Sequence, residues 1–270
     1  MTGRRRGLTL IELIVVIAII TFVMALSLPA LQRVQREAKV VVCQSNLRQW
    51  GTIWDIHTTD NGGHFPGSVQ DEPHPGWWWV WPGPFGNFSD YSSTSDISCC
   101  PMADKPASTT GKSDPHGGTF LAWGRFHPKG TWPWDSFGSY GTNRWTCWPF
   151  WPSNQPEPNF WQTPNVKGAG GIPLHLDSCW PWSWISAKQA PPECDAIPAA
   201  TSLERHAFCI NRHDAHVNGL FMDWSVRKIG LKELWTLKWH RRYNTANRWT
   251  RAGGARGEDW PEWMRSFKDY

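Results

Sequence analysis

The chain has 270 residues, of which 40% are hydrophobic, only 19% are charged and 22 are tryptophan. That much apolar surface with so little charge to resist collapse excludes a disordered chain; the length exceeds one ordinary domain of ~150 residues without reaching an elaborate multidomain enzyme, so one globular body with an appendage is expected. The formal charge of +4, from 27 basic and 23 acidic residues, is too small to imply nucleic-acid binding by itself.

Arg4, Arg5 and Arg6 come first, and directly behind them runs the apolar segment Leu8–Leu28. At ~1.5 Å per residue it spans about 30 Å of hydrocarbon, and the positive cluster before it predicts a cytoplasmic N-terminus with the remainder translocated. A secretory signal would have a shorter apolar core and a small-residue cleavage site. This run instead ends in Leu28-Pro29-Ala30-Leu31, which favours an uncleaved anchor. Glu12 is out of place in it, because a carboxylate at that depth costs ~2.5 kcal/mol or more unless it is paired or functional. It calls for a cation.

Gly7-Leu8-Thr9-Leu10-Ile11-Glu12 after a short basic leader, followed by a Val/Ile/Ala-rich run and Pro29, resembles the processing site and N-terminal helix of type IV prepilins and type II secretion pseudopilins. The resemblance implies cleavage by a prepilin peptidase after Gly7, methylation of Leu8 as the new first residue, and pairing of Glu12 with the terminal ammonium of a neighbouring subunit during assembly. Leu8 stands where that family more often has Phe. Loss of Met1–Gly7 removes three arginines and no acid, which takes the charge from +4 to +1.

Beyond Pro29, the stretch from Leu31 to His57 contains no proline and reads as helix. At ~100° per residue Leu31, Val34, Ala38 and Val41 cluster on one face, while Cys43, Leu47, Trp50 and Trp54 cluster on nearly the opposite one. The lower half should therefore meet something other than the upper half. From Leu8 to His57 such a helix would be about 75 Å long and bent near Pro29.

After Asp60-Asn-Gly-Gly63 the chain is studded with Pro, Gly and Trp to about residue 200, as in Trp77–Pro82 and Trp180–Trp184, and reads as short strands and ordered loops. The expected fold class is α+β: a long N-terminal transmembrane helix packed on a mostly antiparallel, loop-rich, pilin-like head. The expected parts are a leader (1–7), a membrane and assembly helix (8–28), a helical stem (29–57), a β-rich head (58–230) and a basic C-terminal segment (231–270). The resemblance extends to landmarks of a large pseudopilin-like group: Cys43 through Gly51, Asp60 through Pro66, Cys100-Pro101, Ser139 through Asn143, and an H-x9-D-G landmark at His213 and Asp223, where Trp224 replaces the glycine. A tight turn at Trp224 is then in question. Gly219 is the alternative turn residue, which would make Ala207–Ile210 and Gly219–Met222 adjacent strands.

His213 and Asp223 suit a base with its orienting carboxylate, but no nucleophile motif accompanies them, so a buried hydrogen-bonded pair that stabilises the last hairpin is expected and no enzyme activity. His206, Cys209, His213 and His216 have zinc-type donors, yet on a strand 206 and 209 face opposite sides, as do 213 and 216, so no metal ligand and no cofactor is assigned. No regular acidic spacing points to calcium. Of the seven cysteines, Cys43 on the stem and Cys99 or Cys100 in the first loop region are candidates for a disulfide stapling stem to head, and the odd count leaves at least one unpaired. The tryptophans read as core rings packed among prolines rather than as a glycan-binding surface.

From Arg227 to Arg256 nine basic residues accompany one acid, Glu233, and Leu231–His240 has amphipathic helical spacing with a basic outward face. That face suits subunit contact better than a polyanion such as DNA. The function expected is that of a pseudopilin or pilin, cleaved, N-methylated and assembled into a type II secretion pseudopilus or type IV pilus-like filament. Its expected partners are the prepilin peptidase, neighbouring subunits and the bacterial inner membrane, with a single-pass topology, the N-terminus cytoplasmic and the head periplasmic or extracellular. The alternatives are an adhesive or DNA-uptake pilin and a membrane-anchored carbohydrate-binding protein.

Overall fold

The structure is a computed structural model that describes residues 9–65, 97–105, 116–124, 137–146, 157–195 and 206–270. The chain divides into two compact units, Met1–Lys39 and Val40–Tyr270. One helix, α1 (Leu10–Asp60), starts in the first unit and ends in the second, and it continues through Pro29, whose missing amide removes a ladder bond without ending the helix.

α1 opens with a reciprocal cap of the form Thr-x-x-Glu. The Glu12 amide donates to Thr9 Oγ1 (3.3 Å), and Glu12 Oε2 accepts both the Thr9 amide and the Thr9 hydroxyl at 2.8 Å. Glu12 thus satisfies donors that the first helical turn leaves orphaned, a role available from the sequence spacing Thr9-Leu-Ile-Glu12 but distinct from the charge pairing implied by the resemblance. Downstream, the large apolar side chains from Leu10 to Leu31 are exposed. This part of α1 is long and apolar enough to cross a membrane.

In the second unit α1 becomes amphipathic. Val40, Cys43, Leu47, Trp50, Trp54 and His57 recur at intervals of three and four and are all buried, whereas Leu31, Val34 and Val41 stay exposed, so the change of apolar face expected at this point is present. The buried stripe lies on a five-stranded sheet. Its strands are β3 (Tyr140–Asn143), β4 (Pro173–Asp177), β5 (Trp182–Ser183), β6 (His216–Phe221) and β7 (Val226–Gly230), in the order β5-β3-β4-β6-β7. Every pairing is antiparallel except β3 with β5. Two short strands, β1 (Trp123–Gly124) and β2 (Phe137–Gly138), form a separate antiparallel pair. All five residues of the central strand β4 are buried, including His175 and Asp177, so both of its faces are covered. Gly51 lets the helix approach, since a Cβ there would stand 3.0 Å from Leu220 Cδ1 on β6.

The last hairpin differs from the expected one. Gly219 lies inside β6, between Leu176 and Arg227, and the turn falls between Phe221 and Ser225, closed by Trp224 N to Phe221 O and Phe221 N to Ser225 O, both 2.9 Å. Trp224 itself takes the left-handed conformation (φ 64°). The chain keeps the turn that the landmark glycine would supply, and the indole packs against the core in return. Ala207–Ile210 is not a strand beside β6, whose neighbours are β4 and β7.

Nor does Leu231–His240 form an amphipathic helix. A single 3-10 turn covers Lys232–Trp235, and Lys232 points inward, its ammonium 2.7 Å from Asp269 Oδ1 and 3.3 Å from the Arg265 carbonyl. Leu231, Leu234, Trp235, Leu237, Trp239, Tyr243, Trp260 and Met264 join the same core as the strands, so the stretch 231–270, set apart in sequence by its charge, belongs to the body of the second unit. Among the described tryptophans ten are buried and none is exposed, which fits the core reading; the Trp77–Pro82 cluster lies outside the described residues.

Two measurements follow from this architecture. In detergent-solubilised chain, Trp54→Ala removes a wholly buried ring and is expected to cost about 3–5 kcal/mol in chemical denaturation, whereas Leu26→Ala changes an exposed side chain and is expected to stay within ~0.5 kcal/mol. His57 supplies a pH dependence. Burial lowers it from 6.5 to about 4 against a weaker opposing pull from Asp60. A depressed folded-state pKa means that its contribution is present above pH 6.5 and lost as pH falls toward 4, so His57→Gln is expected to flatten the loss of stability across that window.

Candidate functional site

Asp177, the last residue of β4, is fully buried, and a buried carboxylate is tolerable only with partners. It has several. Arg212 Nη1 lies 3.1 Å from Oδ1, His213 Nε2 lies 3.1 Å from Oδ2, and the Asn218 amide donates to Oδ2 at 2.7 Å. The side chains of Asp177, Arg212 and His213 all have zero solvent exposure. Arg212 spends its remaining donors on backbone carbonyls: Thr119 (2.7 Å), Ser139 (2.5 Å), and Gly118 and Ser178 (both 3.1 Å). One guanidinium thereby ties three loops to the end of β4.

Two cysteines complete the cluster. Cys43, from the buried stripe of α1, has its sulfur 3.5 and 3.7 Å from the two Asp177 oxygens, and that sulfur accepts from Asn218 Nδ2 (3.2 Å) and the Tyr140 hydroxyl (3.3 Å). Cys100 has its sulfur 3.4 Å from His213 Nε2 and its amide bonded to Ser139 Oγ at 2.6 Å. The donor atoms of Cys43, Cys100, Asp177 and His213 all lie within 4.8 Å of one another, and all four residues are buried.

The electrostatics are mutual. Burial alone would raise the Asp177 carboxyl; His213, Arg212 and the Asn218 amide outweigh it and hold the group well below the usual carboxylate range. Burial likewise opposes the His213 imidazolium, yet Asp177 and then Cys100 lift it to about 9. Burial pushes the Cys43 thiol up, helped by Cys100 and Asp177. Cys100 feels the same burial, but its bonds to Cys43 and His213 and the charge of Arg212 draw it down to about 6. The shifts compensate one another: Asp177 and Cys100 are drawn toward their anionic forms, Arg212 and His213 toward their cationic forms.

Cys100, His213 and Asp177 have the composition of a nucleophile, base and orienting acid, and all three are buried. The chemistry open to this enclosed set is covalent or coordinate cross-linking of its own segments. Cys43 and Cys100, two of the three cysteines considered for a stem-to-head disulfide, are brought together here as thiols. Cys99 faces elsewhere, with its carbonyl bonded to Asn46 Nδ2 (3.0 Å) and its sulfur to Ser98 Oγ (3.7 Å).

The pairing expected between His213 and Asp223 is not formed. Asp223 is exposed and accepts from the Ser225 amide (3.1 Å) and hydroxyl (2.6 Å) in the β6–β7 turn, while His213 goes to Asp177. The zinc-type donors weighed in sequence also disperse: His206 Nε2 bonds the Ala190 carbonyl and His216 Nδ1 the Asp214 carbonyl, both at 2.7 Å. Glu12 sits exposed in the first turn of α1; Gly7 and Leu8 lie outside the described residues. Sequence reasoning missed Asp177 and Asn218 altogether and gave Tyr140 and Arg212 no role. The available signal was that Cys43, Cys100, Ser139-Tyr140 and His213 stood out separately within landmarks, and these residues meet in one cluster.

Residues 2–28 match the prokaryotic N-terminal methylation motif. The amino-terminal segment is of the prepilin type. No curated protein and no solved structure matches the chain. The motif accounts for the apolar half of α1 and leaves the buried cluster to be understood from its own geometry.

Arg212→Met would leave Asp177 buried without its guanidinium partner and would take one donor from each of four carbonyls, of which Ser139 keeps the Ser178 amide. It is expected to cost about 3–5 kcal/mol, read from the denaturation midpoint of the full chain in detergent.

Proposed function

We propose that this protein is a structural pilin-type subunit, without enzymatic activity, that is cleaved after Gly7, methylated on Leu8 and assembled through α1 into a type II secretion pseudopilus or type IV pilus-like filament. The observation that carries this reading is the methylation motif at residues 2–28, coinciding with a helix whose apolar residues from Leu10 to Leu31 are left uncovered by the rest of the chain. Such a surface is stable in a bilayer or against copies of itself, and a filament subunit needs both in turn. The arginines of the leader favour a cytoplasmic N-terminus, which sends the head to the periplasm or the exterior.

Glu12 has two tasks in this reading. Within the chain its hydrogen bonds cap the first turn of α1, but they leave its negative charge uncompensated, and the terminal ammonium created by cleavage on a neighbouring subunit supplies the cation that sets register. The head takes no part in the membrane step. Its exposed Arg241, Arg242, Arg248, Arg251 and Arg256 suit contact with acidic surfaces of other subunits, where charge fixes orientation.

N-terminal mass spectrometry of protein from a host carrying a prepilin peptidase is expected to find methylated Leu8 as the first residue, and substitution of Gly7 by a bulky residue is expected to leave the leader attached. A wild-type chain beginning at Met1 under those conditions would rule the reading out. Glu12→Ala is expected to insert into the membrane normally yet give little filament; normal filament yield would exclude the register role.

A further inference from the structure

The buried cluster has a composition beyond what electrostatic pairing requires. We infer that Cys43, Cys100, His213 and Asp177 form a structural zinc site. The inference is independent of the filament reading and would hold for any function of the head.

Five observations support it. The donors are two sulfurs, one imidazole nitrogen and one carboxylate, the mixed soft and borderline set that selects zinc over calcium or magnesium. Their spacing is close to what an ion needs: a tetrahedral zinc ion with bonds of about 2.0–2.3 Å separates its ligand atoms by roughly 3.3–3.8 Å; Cys100 with His213 at 3.4 Å and Cys43 with Asp177 at 3.5 and 3.7 Å fall in that range, His213 with Asp177 at 3.1 Å is slightly shorter, and no two donor atoms are more than 4.8 Å apart, so small shifts of the side chains would close the shell. The site is closed, since all four residues are buried, as structural rather than catalytic zinc requires.

The charge also closes. Two thiolates and one carboxylate bring −3, zinc brings +2, and the buried guanidinium of Arg212 supplies the remaining +1 at 3.1 Å from the carboxylate. Around the donors stands a second layer that orients them: Asn218 Nδ2 and the Tyr140 hydroxyl donate to the Cys43 sulfur, and the Asn218 amide and Arg212 hold Asp177. A disulfide between Cys43 and Cys100 would use the two sulfurs but would leave His213, Asp177 and the donors on Cys43 without a common purpose.

The ligands come from α1, the loop at Cys100, the end of β4 and the segment before β6, so the ion would join four segments far apart in sequence. Metal binding is then folding energy for the head.

The test uses full-length chain in detergent, isolated from the cell envelope with thiols trapped by acid quenching and alkylation in a parallel sample. About one zinc per chain is expected by elemental analysis, falling below roughly 0.1 in Cys43→Ser and in His213→Asn and unchanged in Cys194→Ser, whose side chain lies outside the cluster. The unsubstituted chain gives a readout that does not depend on variants folding: cobalt exchanged into it is expected to produce thiolate-to-cobalt charge-transfer absorption with intense tetrahedral ligand-field bands. Absence of both zinc and the cobalt spectrum would overturn the inference. So would zinc retained at full occupancy by folded Cys43→Ser, or a Cys43–Cys100 disulfide in the acid-trapped sample.

Discussion

A carboxylate with no access to water sits at the end of the central strand, and much of the head is arranged around that fact. Asp177 cannot be buried alone, so Arg212 and His213, adjacent in sequence, are drawn in from the segment before β6. Arg212 cannot be buried with one partner, so it gathers carbonyls at Gly118, Thr119, Ser139 and Ser178. These carbonyls belong to loops with little regular structure of their own. In a head rich in Gly and Pro, where strands are as short as two residues, a saturated guanidinium does the ordering that long ladders do elsewhere.

The same cluster fixes how the helix meets the sheet. Cys43 presents its sulfur to Asp177, its carbonyl accepts from the Tyr140 hydroxyl at 3.3 Å, and the next residue, Gln44, donates to Asn218 on β6 at 3.0 Å. Trp50 stacks obliquely on His175 of β4 with ring centres 5.1 Å apart, and Gly51 admits Leu220. Apolar contacts alone would tolerate sliding by a turn, because leucine and tryptophan are indifferent to small shifts. The polar contacts at Cys43 and Gln44 remove that freedom.

What the sequence made legible was local. The prepilin-type start is a contiguous pattern, and the stripe Cys43, Leu47, Trp50, Trp54 follows from a period of 3.6 residues, so the helix and its change of face could be read directly. The cluster could not, because its members are scattered from residue 43 to residue 213 and no spacing rule connects them. Asp177 was the hardest to see: Leu174-His-Leu-Asp177 alternates like a half-solvated strand, yet His175 and Asp177 are buried along with the leucines. Trp224 misled for a different reason. A glycine is the economical residue for a left-handed turn, but an indole that packs against the core can hold φ at 64° against its intrinsic preference. The basic outward face read for Leu231–His240 failed at Lys232, whose ammonium lies 5.2 Å from the Trp260 ring centre and finds Asp269.

The crossing from exposed to buried along α1 has a mechanical consequence. Tension carried along the helix axis first encounters the head at Val40 and then at Cys43, Gln44 and Asn46, where hydrogen bonds to β3, β6 and the Cys99 carbonyl share the load before it reaches the tryptophans. Hydrogen bonds are stiff and short-ranged, whereas apolar packing yields gradually. Under a pull the head would therefore resist with little extension up to a threshold and then release its helix in a single step, with the grip concentrated in about one turn of helix.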